Sequence, residues 1–168
     1  MDHPEHSCPT GGGSRCELDE NLAILRGVPA FSRIPLPRLK LYAYLSKRAC
    51  YQAGEFLFRQ GDSDDHGYIV ISGRAQLIRE LKDHSVLLHE FIEGDFLGGL
   101  ALFSDISRLF SVKAVTKLEC LTLDRETFQK LLIQFPEVAI KVLDVMVKRV
   151  VQMEEKLLQA ESDSSIFG

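Results

Sequence analysis

The residues best suited to chemistry lie in Gly94-Asp95-Phe96-Leu97-Gly98-Gly99-Leu100-Ala101-Leu102 and in Ser107-Arg108 just after it. A glycine turn lets backbone approach an anion closely, and a short helix that follows points free N–H groups at it. An arginine across from those amides can grip two phosphate oxygens in a planar fork. Gly98, Gly99, Leu100 and Ala101 are expected to form the turn and helix start, with Arg108 as the fork. Leu109, Phe110 and Ser111 follow directly and complete the candidate ligand-binding set. The plainer alternative for Arg108 is an ion pair with a local acid such as Asp105. No nucleophile–base pair, reactive carboxylate pair or Walker-type loop is visible in the sequence, so the chain reads as a binding protein and not an enzyme.

Other chemistry is weaker. His3, His6, Cys8 and Cys16 are zinc-type ligands, but their spacing matches no recognised finger. His66 and His89 are possible axial ligands, although a lone histidine is more often structural or solvated. No resident cofactor or metal is expected. The cysteines at 8, 16, 50 and 120 contain no CxxC pair, and a disulfide framework is not expected in a chain with an adequate core.

The elements that must position Arg108 follow from periodicity. Residues 1–16 read as a flexible tail, with Pro4, Pro9 and Gly11-Gly12-Gly13 and no apolar face. Helical spacing appears at Leu18, Leu22 and Leu25, and again after Pro35-Leu36-Pro37. From 48 to 124 short apolar runs alternate with glycine turns at Gly54, Gly61, Gly73 and Gly94, which predicts an antiparallel double-sheet roll or barrel. Only Gly98 to Phe103 interrupts it, as a mini-helix between strands. A roll with its N-terminal helices is expected over 17–135, a long helix over 136–161, and a polar tail over 162–168. Leu143, Met146, Val150, Met153, Leu157 and Ala160 alternate three and four apart, a heptad seam that points to a homodimer. Val138, Val142, Val145 and Arg149 form a neighbouring stripe that could pack on the roll; one amphipathic helix lying on its own domain is the simpler alternative.

The 168 residues are 45% hydrophobic and 26% charged, values of an ordinary globular chain. No apolar run is long enough to span a bilayer, and no signal pattern opens the chain, so a cytoplasmic protein is expected. Twenty basic against 24 acidic residues give a net charge of −4, which does not favour a phosphate backbone as partner.

This order of helices, glycine-punctuated strands, inserted mini-helix and long terminal helix resembles the cyclic nucleotide-binding domain, the fold of catabolite activator protein and of the regulatory subunits of cyclic-AMP-dependent kinase. Two blocks carry the likeness: Tyr51 to Asp62 with Tyr68 to Arg74, and Gly94 to Leu102 with Ser107-Arg108 and Ser111 to Ala114. The resemblance makes the second block a phosphate-binding cassette and makes cyclic AMP or cyclic GMP the implied ligand. Two departures stand out. The family's glycine–glutamate pair reads Gly98-Gly99, which removes the carboxylate that accepts from the sugar hydroxyl and costs roughly 1.5–3 kcal/mol. The two small residues that usually follow the arginine read Leu109-Phe110, and the proline before it reads Ser107. Restoring Gly99→Glu and Phe110→Ala is expected to tighten nucleotide binding.

The resemblance includes haem and iron–sulfur sensors, whose ligand spacing Cys8, Cys16 and Cys120 do not supply. It also includes DNA-binding members with a helix-turn-helix after the long helix. The sequence stops where that module would begin, so direct DNA binding is not expected. The resulting expectation is a stand-alone, dimeric sensor of a cyclic nucleotide or related small anion, signalling in trans through its C-terminal helix to an effector protein the sequence does not name. The alternative is an interaction module that keeps the scaffold and has lost the ligand.

Overall fold

The structure is a computed structural model that describes residue 8 and residues 14–166. The glycine turns fold eight strands into two antiparallel sheets: β1 (Lys47–Tyr51), β2 (Phe56–Phe58), β3 (His66–Ser72), β4 (Ala75–Glu80), β5 (Ser85–Phe91), β6 (Phe96–Leu97), β7 (Ser111–Ala114) and β8 (Leu118–Asp124). One sheet has the order β1-β8-β3-β6 and the other β2-β7-β4-β5. The turn glycines Gly54, Gly61, Gly73 and Gly94 all adopt positive φ. The double-sheet roll is as expected from the sequence, but hydrogen bonds do not close it into a barrel among the described residues.

The chain opens with α1 (Ser14–Gly27), a single 3-10 turn and α2 (Leu36–Leu45). The mini-helix α3 (Leu100–Phe103) separates β6 from β7, while α4 (Arg125–Gln134) and α5 (Pro136–Ile166) complete the chain. Asp124 caps α4, its carboxylate accepting from the Thr127 backbone N–H at 2.9 Å. Helix α1 starts at Ser14, before the sequence-based boundary, and α5 runs past Glu161 to Ile166. Strand β6, two residues long, has too little pattern to be read from sequence.

Two cores hold the roll. Leu57, Phe58, Val70, Leu77, Leu88, Phe91, Leu97 and Val112 fill the space between the sheets. Leu25, Phe31, Leu39, Leu121, Phe128, Leu131, Val138 and Val142 pack the helices onto the outside of the β1–β8–β3 layer. Helix α5 joins both, with Val138, Val142 and Met146 in the outer core and Met153 in the inner one.

The heptad seam is therefore divided. Met146 and Met153 are buried on their own roll, whereas Leu143 and Val150 are exposed. Val145, expected on the packed stripe, is also exposed, because the buried face runs 138, 142, 146 and 153. Ile140, Leu143, Val147, Val151 and Leu158 make an outward apolar stripe.

The absence of a disulfide is corrected: Cys8 bonds Cys50 on β1, with Cα atoms 5.1 Å apart. The 42-residue separation concealed the pairing. Cys120 is a buried thiol, pushed up to about 12 by its surroundings. No helix among the described residues is long and apolar enough to cross a membrane.

Candidate functional site

The cassette residues do converge. Gly98, Gly99, Leu100, Ala101, Arg108, Leu109 and Phe110 line one pocket, closed further by Phe58, Leu77 and Phe91 from the sheets and by Met146, Arg149, Val150 and Met153 from α5. Ser111 lies just outside this lining, fully buried, with its Oγ accepting from the Gln60 backbone N–H at 2.8 Å. The pocket walls are mostly carbon, and its free space is about 70 Å³, room for a few waters rather than a nucleotide with α5 in this position.

Gly98 supplies the turn at φ +78°, where a side chain would be strained. A Cβ there would also come within 3.1 Å of the Arg108 guanidinium and of the His66 carbonyl. Helix α3 is seated by Gly67 on β3, where a Cβ would fall 2.5 Å from Leu102.

Arg108 is almost fully buried, and its fork is already engaged. Nη1 donates to the Gly98 carbonyl at 2.8 Å, and Nη2 donates to Asp64 Oδ2 at 2.5 Å and to the His66 carbonyl. The guanidinium stacks over Phe58, 3.9 Å from the ring centroid. Its Nε is buried with no partner. The acid paired with Arg108 is Asp64, 44 residues away, and not Asp105, which instead faces Arg125 at 3.5 Å. The ion-pair alternative for Arg108 is thus met, by a distant carboxylate in place of the local one.

Asp64 is the hub of a buried network. It accepts from Arg108, from Tyr68 Oη at 3.1 Å and from the His66 backbone N–H at 3.1 Å, and it faces the His66 ring. Burial alone would raise its pKa, but the His66 hydrogen bond and the Arg108 charge outweigh that and hold the carboxyl well below the usual range. His66 is raised in return, chiefly by its bond to Asp64. Burial drives both Tyr68 and Tyr51 up, so neither phenol ionises in ordinary conditions. Asp64, Asp65 and His66 sit close enough to suggest a metal, yet Asp64 is already committed to Arg108.

Gly99 departs from the resemblance for a visible reason. Its backbone is ordinary helical, at φ −61° and ψ −28°. However, a Cβ there would lie 2.8 Å from Phe96 and 2.9 Å from the Met146 sulfur. Met146 of α5 thus occupies the space a longer side chain would need. Restoring a glutamate is not a local change while α5 rests on α3. Phe110 takes a position on the pocket wall beside Arg79, whose guanidinium is 5.8 Å from its ring centroid and also donates to the Leu109 carbonyl.

Sequence reading missed Asp64, Phe58, Met146 and Met153 as parts of the site. Arg149 carried a signal, a lone cation on an otherwise apolar stripe. His89 stacks edge-on against Phe91 at 4.8 Å and its pKa is lowered by burial, as for a structural imidazole. Of the N-terminal metal candidates, Cys8 is consumed in the disulfide and Cys16 donates to Glu20, while His3 and His6 lie outside the described residues.

A double-sheet roll with a glycine turn, mini-helix and buried arginine under a long helix defines a class of ligand-binding regulatory domain. Residues 48–135 match the family described as cyclic nucleotide-binding domain, and the chain belongs to that family. The regulatory subunit of cAMP-dependent protein kinase from Schizosaccharomyces pombe is 33% identical over 110 residues, covering 66% of this chain and 26% of that protein. The corresponding subunit from Dictyostelium discoideum is 31% identical, covering 68% of this chain and 35% of that protein. The chain thus spans about a quarter to a third of the length of these relatives. Among solved structures, the catabolite activator protein of Thermus thermophilus superposes with a TM-score of 0.68 at 27% identity, covering 79% of this chain and 63% of that one. A cyclic nucleotide-binding-like protein from Brucella abortus has a TM-score of 0.60 at 31% identity and is covered over 98% of its length.

Proposed function

We propose that this domain is a ligand-operated regulatory module whose pocket takes a small oxyanion of the cyclic nucleotide class and whose output is the placement of α5. The observation that carries this reading is the Arg108 Nε–H, buried without an acceptor in a residue that lines the pocket. A buried donor left unpaired is costly, and a ligand oxygen is the natural partner. Coupling to α5 follows from the lining: Met146, Arg149, Val150 and Met153 form one wall, so a ligand larger than the present free space must move them. Ligand and helix then shift one equilibrium together, by the difference in affinity between its two states.

Met146 and Met153 belong both to this wall and to the heptad seam. A helix lifted from the pocket would expose the full seam to a second copy, so homodimerisation and an effector contact in trans are the proposed outputs. The second reading, an interaction module without ligand, is favoured by the internal neutralisation of Arg108 by Asp64. Calorimetric titration with cyclic AMP and cyclic GMP separates the two. Saturable binding, lost in Arg108→Lys, which keeps the charge beside Asp64 but removes the Nε–H, is the expected result. Silence with both nucleotides would favour the interaction module.

A further inference from the structure

The net charge of −4 conceals an uneven distribution. Between Glu20 and Glu55 the chain has no acidic residue, and Arg26, Arg33, Arg38, Lys40, Lys47 and Arg48 all fall in that stretch. Arg48 is matched, by Glu20 at 2.7 Å and by Glu119 at 3.0 Å. The other five are exposed, and none is ion-paired with a described residue. Arg38 and Lys40 lie on α2, Arg33 three residues before it and Lys47 two residues after it. Helix α2 turns Leu39, Tyr42 and Ala43 into the core. Its outward face is apolar as well: Leu36, Leu41, Tyr44 and Leu45 are exposed, Tyr44 by 75%. At about 100° per residue, Pro37, Leu41 and Tyr44 form the centre of that face, with Lys40 to one side and Arg38 to the other.

We infer that α2 is a docking face for a bilayer surface rich in anionic lipid. Leu41 and Tyr44 enter the headgroup boundary, while Arg33, Arg38, Lys40 and Lys47 meet the lipid charges. An apolar helix face rimmed by Lys and Arg lies in the interface without spanning the bilayer. Tyrosine suits that depth, because its ring is apolar and its hydroxyl stays among polar groups. Each cation near an anionic surface adds attraction, and its long stem covers apolar area while the head reaches the lipid charge. Unpaired cations spread around a protruding ring match a deformable anionic surface better than the fixed groove of a folded partner. Leu39, Tyr42 and Ala43 already anchor the helix, so docking requires no unfolding. No residue of α2 lines the ligand pocket, so this inference stands apart from the ligand reading.

The test is co-sedimentation with vesicles of equal parts phosphatidylcholine and phosphatidylserine, and with vesicles of phosphatidylcholine alone. The wild type is compared with the double variant Arg38→Glu, Lys40→Glu and with Lys82→Glu, Lys117→Glu, which makes the same charge change at exposed sites elsewhere. Circular dichroism confirms that each variant is folded. The wild type should bind the phosphatidylserine vesicles at least tenfold more tightly than the neutral ones, and less so as salt is raised. The α2 variant should lose that preference, and the control should keep it to within about twofold. Entry of the apolar face is read separately: the chain has no tryptophan, so Tyr44→Trp supplies a single reporter. Its emission should shift to the blue with phosphatidylserine vesicles and stay in place with soluble polyglutamate. Equal binding to both vesicles, or equal loss in the two double variants, would overturn the inference. A blue shift with polyglutamate as large as with vesicles would also overturn it, and would assign the face to an acidic protein.

Discussion

Arg108 and Arg149 face the same cavity from opposite sides, one from the loop before β7 and one from α5. The first is tied to the roll through Asp64, Gly98 and His66, whereas the second meets only a carbonyl and an aromatic face. The contrast separates a charge fixed to the roll from a charge carried by the helix. A cation with its own buried carboxylate is held in place with only its Nε–H left over, and a cation without one depends on a carbonyl and a ring for its position.

The sharpest way to break this comparison is to remove each arginine in turn. Arg108→Ala strands Asp64 in the interior and is expected to cost about 3–5 kcal/mol in urea unfolding. A loss below about 1 kcal/mol would mean that Asp64 does not depend on it. The pH profile of stability probes the same network. Asp64 has a depressed pKa, so its contribution is present above its unfolded value of about 3.9 and is lost as pH falls through the folded one. His66 has a raised pKa, so its contribution is complete below about 6.5 and is lost as pH rises through the folded value. Melting temperature should therefore peak between about pH 4 and 6.5, and in Asp64→Asn both the acid limb and the His66 limb should flatten.

Arg149 should behave in the opposite manner. Arg149→Met replaces an unmatched charge by an apolar side chain and is expected to leave stability unchanged or to raise it by about 1 kcal/mol. A loss as large as that of Arg108→Ala would erase the distinction between the two residues. The smallest effect on the fold is expected at the outward stripe of α5. Leu143 lies on the heptad seam and is exposed, so Leu143→Asp should leave the melting temperature of the monomer unmoved while shifting any dimer to monomer in sedimentation equilibrium.

Glycine and apolar periodicity made most of the fold legible, because turns with positive φ and half-buried strands leave marks on nearby residues. The cassette from Gly98 to Phe110 was legible for the same reason. Asp64 was not, since the Asp64–Arg108 pair is made where the segment before β3 runs beside the segment before β7, through the Ser63–Ser107 bridge and the Arg108 N–H to Asp62 carbonyl bond, and not by proximity in sequence. The division of the α5 heptad was hidden too: Met146 and Val150 look alike to a periodicity argument, and only the absence of a Cβ at Gly99 gives Met146 a place to rest. Gly99 thus reads as a loss in sequence and as one half of a contact in the structure.

That contact can be measured directly by a double-mutant cycle between Gly99→Glu and Met146→Ala, with stability taken from urea unfolding. Seating of α5 through Met146 on Gly99 requires Gly99→Glu to cost about 1–3 kcal/mol in the wild type and distinctly less once Met146 is truncated. Penalties that add to within about 0.5 kcal/mol would contradict it, and α5 would not be sealed over the pocket through this contact.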